Sequence, residues 1–246
     1  MDRMLYVAMT GAQQNTLAQR AHANNLANVN TSGFRRDFEQ ARAMQVFGPG
    51  YPSRVMSMSE RPGTDLQPGS LQETGRDLDI AISGKGWVAV QAPDGSEAYV
   101  RTASMIIDAV GMLRTGDGLP VMGNAGPVAL PPEQKVEIGL DGTISIRGAG
   151  EAPSVVSEVE RIKLVMPEDD QLEKGPDGLM RLKEGGELLA DGAVRMTSGF
   201  LESSNVNAVE EMTSILSLSR QFELNVKMMR TAEDNARSME RVLQIS

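Results

Sequence analysis

The sequence contains no cysteine and only one histidine, His22, in 246 residues. The lack of cysteine excludes disulfide bonds, thiolate catalysis and every zinc site that uses a thiolate ligand. A single imidazole also leaves no histidine pair for a metalloprotease or a deaminase. Much enzyme chemistry is thereby excluded, and we assign no catalytic residue, no metal ligand and no cofactor.

Basic residues are also scarce, with 24 Lys and Arg against 33 Asp and Glu, a formal net charge of -9 and a pI near 4.8. Nucleic acids are bound by concentrated positive charge, and no basic cluster is visible. Apolar residues make up 40% of the chain. They never form the run of about 18 that a membrane span requires. We expect no nucleic-acid partner and no membrane span.

The amino terminus has a short apolar run, Met4–Met9, directly after Arg3. It differs from a secretory signal, because Asp2 offsets the positive charge while Thr10 and Gly11 end the run early. We expect no cleaved signal peptide.

Helix breakers are missing from both ends of the chain. All 12 prolines lie between Pro49 and Pro176, and no glycine follows Gly199. Because proline disrupts helix interiors, both ends are free to form long helices. The acidic excess lies in the middle of the chain. The two ends are therefore predicted to be parts of one discontinuous, coiled-coil-like helical domain.

The carboxyl-terminal segment has a heptad seam with alternating spacings of three and four residues. Its members are Ile215, Leu218, Phe222, Asn225, Met229, Ala232, Ala236, Met239 and Leu243. Asn225 is the one polar member, and a buried amide there is predicted to specify the helix register. A weaker series is predicted to form the packing face of the first helix: Leu5, Met9, Ala12, Thr16, Gln19, Ala23 and Leu26.

The start of the carboxyl-terminal helix has clear capping signals. Asn207 is a suitable N-cap, and Glu210 occupies the capping-box position. Glu211 adds a negative charge at the positive end of the helix dipole. A helix from Ala208 to Leu243 would be roughly 50 Å long and would need a partner.

The middle of the chain contains short, often β-branched runs separated by turn signals. The predicted strands are Leu78–Ile82, Trp87–Gln91, Ala98–Arg101, Lys135–Ile138 and Thr143–Ile146. Asp94-Gly95 and Asp141-Gly142 lie between such runs, where both residues of each pair can take the positive φ of a tight hairpin. An antiparallel β-rich domain is predicted.

The predicted fold class is α+β, with long amino- and carboxyl-terminal helices and a central antiparallel β-rich domain. Residues 1–33 are assigned to the amino-terminal helix and 34–70 to an extended, proline-containing connector. Residues 71–204 are assigned to the β-rich domain and 205–246 to the carboxyl-terminal helix.

Three features that could belong to an enzyme have simpler interpretations. Gly84-Lys85-Gly86 lacks the remaining features of a phosphate loop and is predicted to be a turn. Asp77 and Asp79 could ligate a cation, but both lie on one face of a strand-like run and are predicted to be solvated. His22 is predicted to lie on a polar helix surface without a catalytic partner. A hydrolase would have to use Asp77, Asp79 or Glu73.

Residues 23–35 read ANNLANVNTSGFR. Physical chemistry predicts a helix stop, because asparagine side chains cap terminal carbonyls, Gly33 turns the chain and Phe34 anchors it. The pattern closely resembles the ANNLANxxTxGF signature of the bacterial flagellar rod and hook family. The residues that carry the match are Ala23, Asn24, Asn25, Leu26, Ala27, Asn28, Thr31, Gly33 and Phe34.

The resemblance extends over essentially the whole chain. It continues through residues 69–79, 84–87, 94–101 and 108–113, and then through the closing motif. The closing motif comprises residues 198–206 (SGFLESSNV) and Arg220-Gln221-Phe222-Glu223. Within the family, the opening Met1-Asp2-Arg3, Trp87 and the short length are most similar to subunits of the proximal rod. Distal-rod and hook-type axial proteins are the alternatives.

The resemblance implies a structural subunit of the flagellar basal-body rod, which assembles with other proximal and distal rod proteins into a shaft that transmits torque. It implies export by the flagellar type III apparatus without signal cleavage and a location in the periplasmic rod. It implies neither catalysis nor a small-molecule substrate. Two other classes remain open at this point: a periplasmic carboxylate-dependent hydrolase and a soluble two-helix adaptor.

Overall fold

The computed structural model describes residues 4–45, 55–60, 63–131, 133–148, 157–168 and 170–245. Helix α1 spans Met4–Ala27 and helix α2 spans Ala208–Ile245. The strands between them are β1 (Gln40–Gln45), β2 (Val55–Glu60), β3 (Leu71–Glu73), β4 (Asp79–Ser83), β5 (Trp87–Gln91), β6 (Glu97–Val100), β7 (Thr102–Ile107), β8 (Leu113–Thr115), β9 (Glu133–Ile138), β10 (Thr143–Gly148), β11 (Ser157–Arg161), β12 (Leu164–Val165), β13 (Leu172–Lys174), β14 (Met180–Leu182), β15 (Arg195–Ser198) and β16 (Phe200–Glu202). The α+β class is confirmed.

Asparagine side chains define the ends of both helices. The Asn207 Oδ1 atom accepts from the backbone N–H of Val209 at 3.0 Å, so Asn207 is the N-cap of α2. The Asn28 Nδ2 atom donates to the carbonyl of Asn24 at 2.9 Å at the end of α1. Among the described residues only glycines have positive φ, so Asn28 acts through its side chain rather than a left-handed backbone.

The chain divides into two compact units, neither of which is continuous in sequence. The helical unit takes in residues 1–29, 36–65 and 206–246. The β-rich unit takes in residues 30–35 and 66–205. Neither described helix has an apolar stretch long enough to cross a bilayer.

The helical unit contains α1, α2 and a two-stranded antiparallel sheet made of β1 and β2. The sheet lies in the segment expected to be an extended connector, so that description of residues 34–70 was incomplete. In β2, Met56 and Met58 alternate with polar residues, which is the period-two pattern of a strand. The prolines of this segment flank the strands and therefore remove none of their hydrogen bonds.

The β-rich unit is built from antiparallel pairs throughout its described strands. Its larger sheets have the strand orders β12-β5-β6-β14-β13 and β15-β4-β7-β8, with a further sheet β11-β10-β9. Their inner faces enclose a core of branched apolar side chains that includes Ile80, Ile82, Ile144, Ile162 and Leu164. The predicted strands are all present within a few residues of their expected ends.

The two predicted hairpins form, but their aspartates act differently from the prediction. Gly95 and Gly142 have φ values of 84° and 87°, whereas neither aspartate has positive φ. Instead, Asp94 Oδ1 accepts from the Ser96 N–H at 2.9 Å. Asp141 Oδ1 accepts from the backbone N–H two residues further on at 3.2 Å. These side-chain turns require no left-handed aspartate.

Candidate functional site

The two helices meet through small side chains. The buried residues of α1 are Ala8, Ala12, Ala18 and Asn25. The packing face predicted for α1 was wrong, because Leu5 and Met9 are 40% and 47% exposed and only Ala12 of that series is buried. Small side chains let the two helix backbones approach closely, and the large residues Leu5 and Met9 remain exposed.

Two contacts show that α1 and α2 are antiparallel. The Asn225 side chain lies 3.1 Å from the position that a Cβ atom would take at Gly11. Nearer the end of α1, the His22 Nδ1 atom donates to Glu211 Oε2 at 2.5 Å. This register places the start of α1 opposite Ala232, which is 3% exposed. The polar seam residue therefore faces the chain's own first helix.

The predicted seam of α2 is covered over only part of its length. Ala232 is buried, and Phe222, Ala236 and Met239 are exposed. The half-buried members are Ile215, Leu218, Asn225 and Met229. The side chain of Leu243 lies outside the described residues.

His22 is 22% exposed and pairs with a carboxylate, which corrects its assignment as a bystander on a polar surface. Its partner Glu211 is 2% exposed and also accepts from Asn25 Nδ2 at 3.4 Å. Asn25 in turn bonds both backbone groups of Asp37 at 3.0 Å. The motif residue Asn25 thus links α1, α2 and the chain beyond the turn. The pKa of Glu39 is raised, because burial disfavours its charged form. The nearby His22 opposes this rise but does not cancel it.

Arg36 forms a second ionic contact at the start of α2. Its Nη1 atom donates to Glu210 Oε1 at 3.0 Å, and its Nη2 atom contacts Asp65 Oδ2 at 3.4 Å. Glu210, predicted for a capping box, therefore binds a guanidinium. Phe38 lies under the same guanidinium, with the ring centre 5.3 Å away.

The family motif supplies residues to both units. Ala23, Asn24, Ala27 and Thr31 are exposed. Leu26, Asn28, Gly33 and Phe34 are half-buried, and Asn25 is fully buried. The motif therefore has an outward side on α1 and an inward part that determines how the chain leaves the helix.

In the β-rich unit, Glu202 is 0% exposed and joins several segments of the chain. Its Oε1 atom accepts from Arg35 Nη2 and from the Gly69 N–H, the latter at 2.8 Å. Its Oε2 atom accepts from Arg101 Nε at 3.0 Å. Its backbone carbonyl accepts from the Gly33 N–H at 2.7 Å. We call these five residues the Glu202 hub.

Aromatic and aliphatic groups surround the hub. The guanidinium carbons of Arg35 and Arg101 lie 6.0 and 5.7 Å from the Trp87 ring centre. The Lys174 Nζ atom lies 3.7 Å from the Phe34 ring centre and donates to the Arg35 carbonyl at 2.7 Å. The pKa of Arg101 is lowered, mainly because its guanidinium is buried. The Glu202 carboxylate opposes this change, and the Arg35 charge adds to it. Phe34 thus packs against the Lys174 ammonium group within the β-rich unit.

Sequence reasoning missed both ionic clusters as units. Glu202 lies in the quoted closing motif and Arg35 ends the quoted opening motif, but 167 positions separate them. Similarly, 189 positions separate His22 from Glu211. A buried charge needs a partner of opposite charge. Charged residues within the two family motifs, such as Arg35 and Glu202, were therefore the sequence feature that could have indicated these pairs.

The residues proposed for a hydrolase occupy different environments. Glu73 and Asp77 are exposed, whereas Asp79 is 2% exposed and contacts Arg76 at 3.6 Å. The Gly84–Gly86 turn presents its carbonyls to Arg101, a polarity opposite to that of a phosphate loop. Within the described ranges, no three acidic or histidine side chains are grouped to hold a metal ion.

Three family models match successive parts of the chain. Residues 5–35 match the model described as "Flagella basal body rod protein", and residues 81–146 match "Flagellar hook protein FlgE/F/G D1 domain". Residues 197–242 match "Flagellar basal body rod FlgEFG protein C-terminal". The terminal helices and part of the β-rich unit are therefore all represented.

Curated relatives agree with these matches. The flagellar basal-body rod protein FlgF of Escherichia coli is 40% identical over 100% of both chains, and that of Salmonella typhimurium is 38% identical with the same coverage. The rod protein FlgG of Bacillus subtilis is 31% identical over 95% of this chain and 96% of its own. This chain belongs to the flagellar basal-body rod protein family. Within that family, its identity to the two FlgF proteins exceeds its identity to this FlgG.

Proposed function

We propose that this protein is a structural subunit of the flagellar basal-body rod, of the FlgF kind, which assembles with other rod proteins into the axial drive shaft. The observation that carries the proposal is the similarity to rod proteins along the entire chain, including both terminal helices. A distal-rod or hook-type axial subunit is the alternative within the family, and similarity to FlgG is the observation that favours it.

The outer face of α1 has the composition expected of an assembly surface. Tyr6 is 58% exposed, and Leu5, Met9 and Leu17 are each at least 40% exposed. Leu5 and Met9 lie beside the buried Ala8 and Ala12 near the start of the helix, and Leu17 shares a side with the exposed motif residue Asn24. Clustered exposed apolar side chains mark protein interaction surfaces.

Helix α2 presents a matching surface near its start. Val209, Met212 and Leu216 are 70%, 51% and 63% exposed and follow helical spacing of three and four. They lie on the side away from Glu211 and Ala232, which are buried. Neighbouring subunits would cover both helices and bury these side chains.

A coiled-coil contact between subunits is the second part of the proposal. Helix α1 has 24 described residues and α2 has 38, so α2 is about 20 Å longer at 1.5 Å per residue. In the antiparallel register, the part of α2 that follows Ala232 extends beyond the described start of α1. Seam residues Ala236 and Met239 lie there and are exposed. Another subunit would complete the seam at this end.

The amino terminus is proposed to remain in the mature protein, which would travel through the flagellar type III export apparatus to the periplasmic rod. Ala8, Ala12 and Ala18 are buried, so removal of a signal-length segment would uncover the surface of the helical unit that covers them. Intact mass spectrometry of the protein from purified basal bodies tests this. A form that begins near residue 20 or later would contradict it.

The assembly surface is tested by the double variant Leu5→Ser/Met9→Ser in a strain that lacks its own copy of the gene. Each substitution removes apolar burial worth about 1.5–3 kcal/mol in the assembled state, so complete rods should fall by more than about tenfold. Gln13→Ser changes an exposed polar residue of α1 and is the matched control. Electron microscopy of purified basal bodies gives the count.

Helical circular dichroism of the isolated variants should stay unchanged, because both substituted side chains are exposed. Normal rod numbers in the double variant would contradict the assembly surface. Labelling the protein in basal bodies then distinguishes the proximal rod from distal or hook positions.

A further inference from the structure

Residues 30–35, which we call the strap, belong to the β-rich unit although residues 36–65 separate them from the rest of it. The residues directly before and after the strap belong to the helical unit. Only noncovalent contacts therefore hold the strap to the rest of the β-rich unit. We propose that Glu202 is the positioning residue that fastens the strap, and with it the end of the amino-terminal motif, to the β-rich unit. The proposal is independent of the rod assignment.

The strap reaches Glu202 by backbone and side chain. The Gly33 N–H donates to the Glu202 carbonyl, and Arg35 Nη2 donates to its carboxylate. Arg35 is 2% exposed, so its charge enters the interior of the unit. A buried guanidinium needs an anion nearby, and Glu202 supplies it.

Arg35 and Arg101 share this carboxylate, but they are held unequally. Arg101 also donates to the carbonyls of Gly86 at 2.5 Å and Gly84 at 2.7 Å. The Nε and Nη1 atoms of Arg35 are buried without a hydrogen-bond acceptor. Loss of the Glu202 charge would leave two neighbouring buried cations, and Arg35 has fewer other bonds to keep it in place.

Hydrogen bonds beside the hub join the ends of the two sequence segments that make up the unit. The Asn205 N–H donates to the Phe34 carbonyl at 3.4 Å, and Asn205 Nδ2 donates to the Gln67 carbonyl at 3.1 Å. Phe34, Gln67 and Asn205 each lie within two residues of a point where the chain enters or leaves the unit. Glu202, which bonds Arg35 and Gly69, therefore holds residues next to these points.

The test is Glu202→Gln in the full chain, followed by hydrogen exchange and by fluorescence of Trp87, the only tryptophan. We expect the Gly33 amide to exchange at least about tenfold faster, while the core amide of Val121 keeps its protection. Trp87 emission should shift to longer wavelength, because Arg35 moves away from the Trp87 ring. Acrylamide should also quench this emission more efficiently.

Glu97→Gln is the matched control, since Glu97 is also buried and pairs with a single cation, Lys163, at 2.6 Å. It should not release Gly33 selectively. Equal acceleration at Gly33 and Val121 in Glu202→Gln would show an ordinary loss of stability and overturn the proposal. An unchanged Gly33 amide would also overturn it.

Two further variants keep the proposal testable if Glu202→Gln fails to fold. Glu202→Asp keeps the negative charge but shortens the side chain, and it should accelerate Gly33 exchange without affecting Val121. In the double variant Glu202→Gln/Arg35→Met the second buried cation is gone, so the chain should fold with Val121 protected, while Gly33 exchange stays fast because the ionic fastening is still missing. Failure of either result would contradict the assigned role.

Discussion

The helical unit and the β-rich unit bury opposite kinds of side chain. In the β-rich unit the interior contains large branched residues such as Ile80, Ile144 and Leu164, each at most 2% exposed. In the helical unit the buried residues include Ala8, Ala12 and several polar groups, while large apolar residues lie outside. The β-rich unit thus buries its large apolar side chains within one chain, whereas the helical unit leaves many of its large apolar side chains exposed.

This difference separates stability from assembly. Removing a core side chain from the β-rich unit should alter folding, because the lost contacts are internal. Removing an outward side chain from α1 or α2 should leave folding nearly unchanged and alter association. The two units also have separate spectroscopic reporters, since Trp87 lies in the β-rich unit and both described α-helices lie in the helical unit.

The largest effect is expected for Ile82→Ala. Ile82 is 2% exposed in the core of the β-rich unit, so its truncation should lower the free energy of unfolding by about 2–5 kcal/mol. Urea denaturation followed by Trp87 fluorescence measures this. Val110→Ala is the control, because Val110 is 85% exposed and should cost less than about 0.5 kcal/mol. Similar losses in both variants would contradict the assigned core.

A smaller effect is expected at the start of α2. Glu211→Gln removes the charge that pairs with His22, and it should destabilise the helical unit by about 1–3 kcal/mol. Glu210→Gln is the adjacent control, since Glu210 is 58% exposed and its pair with Arg36 is worth at most about 1 kcal/mol. Denaturation followed by helical circular dichroism compares the two. Equal costs would argue against a special role for the buried pair.

The contact of Gly11 with Asn225 predicts an effect whose sign depends on the partner. Gly11→Ala places a Cβ atom 3.1 Å from the Asn225 amide, so crowding should offset the helix propensity gain of about 1 kcal/mol. In an Asn225→Ala background, the same substitution should stabilise the helical unit. A double-mutant cycle by thermal denaturation measures the coupling. Additive effects would mean that the two residues do not determine the register.

Asn225→Leu tests the register in the assembled state. Leu adds apolar burial while removing the amide that fits over Gly11, so α1 and α2 of the isolated chain should pack at least as strongly in vitro. Complete rods and swimming should nevertheless decrease, because slipped packings are no longer disfavoured. Normal swimming with full rod numbers would reject the register role of Asn225 without affecting the family assignment.

Acid should have the smallest effect, and it should act oppositely on the two units. Burial raises the folded-state pKa of Glu39 above 4.5, so the helical unit should gain stability as pH falls through that raised value. Hydrogen bonds from Ser96 and Thr143 lower the pKa values of Asp94 and Asp141 below 3.8. The β-rich unit should therefore lose stability as pH falls below 3.8.

Unfolding at a series of pH values, followed with the two reporters, measures both trends. Glu39→Gln should remove the acid-dependent gain in the helical unit and leave the β-rich unit unchanged. Parallel pH profiles for the two units in the original protein would contradict the prediction.

Local sequence determined the helix ends, five of the sixteen described strands and the family. Asn207 and Asn28 cap their helices through bonds to residues two to four positions away, so their effect is visible in the sequence. The β-branched runs of the middle likewise predict strands without knowledge of their partners. The match to the rod family depends on similar local patterns of residues.

Tertiary structure decided which residues are buried together. The sequence placed Leu5 and Met9 inward because they are apolar, but the helix buries the smaller Ala8 and Ala18, which lie outside the predicted series. It also gave no means of pairing Arg35 with Glu202. A buried ion pair becomes favourable only when folding removes water and brings distant segments together, and no local pattern records that event.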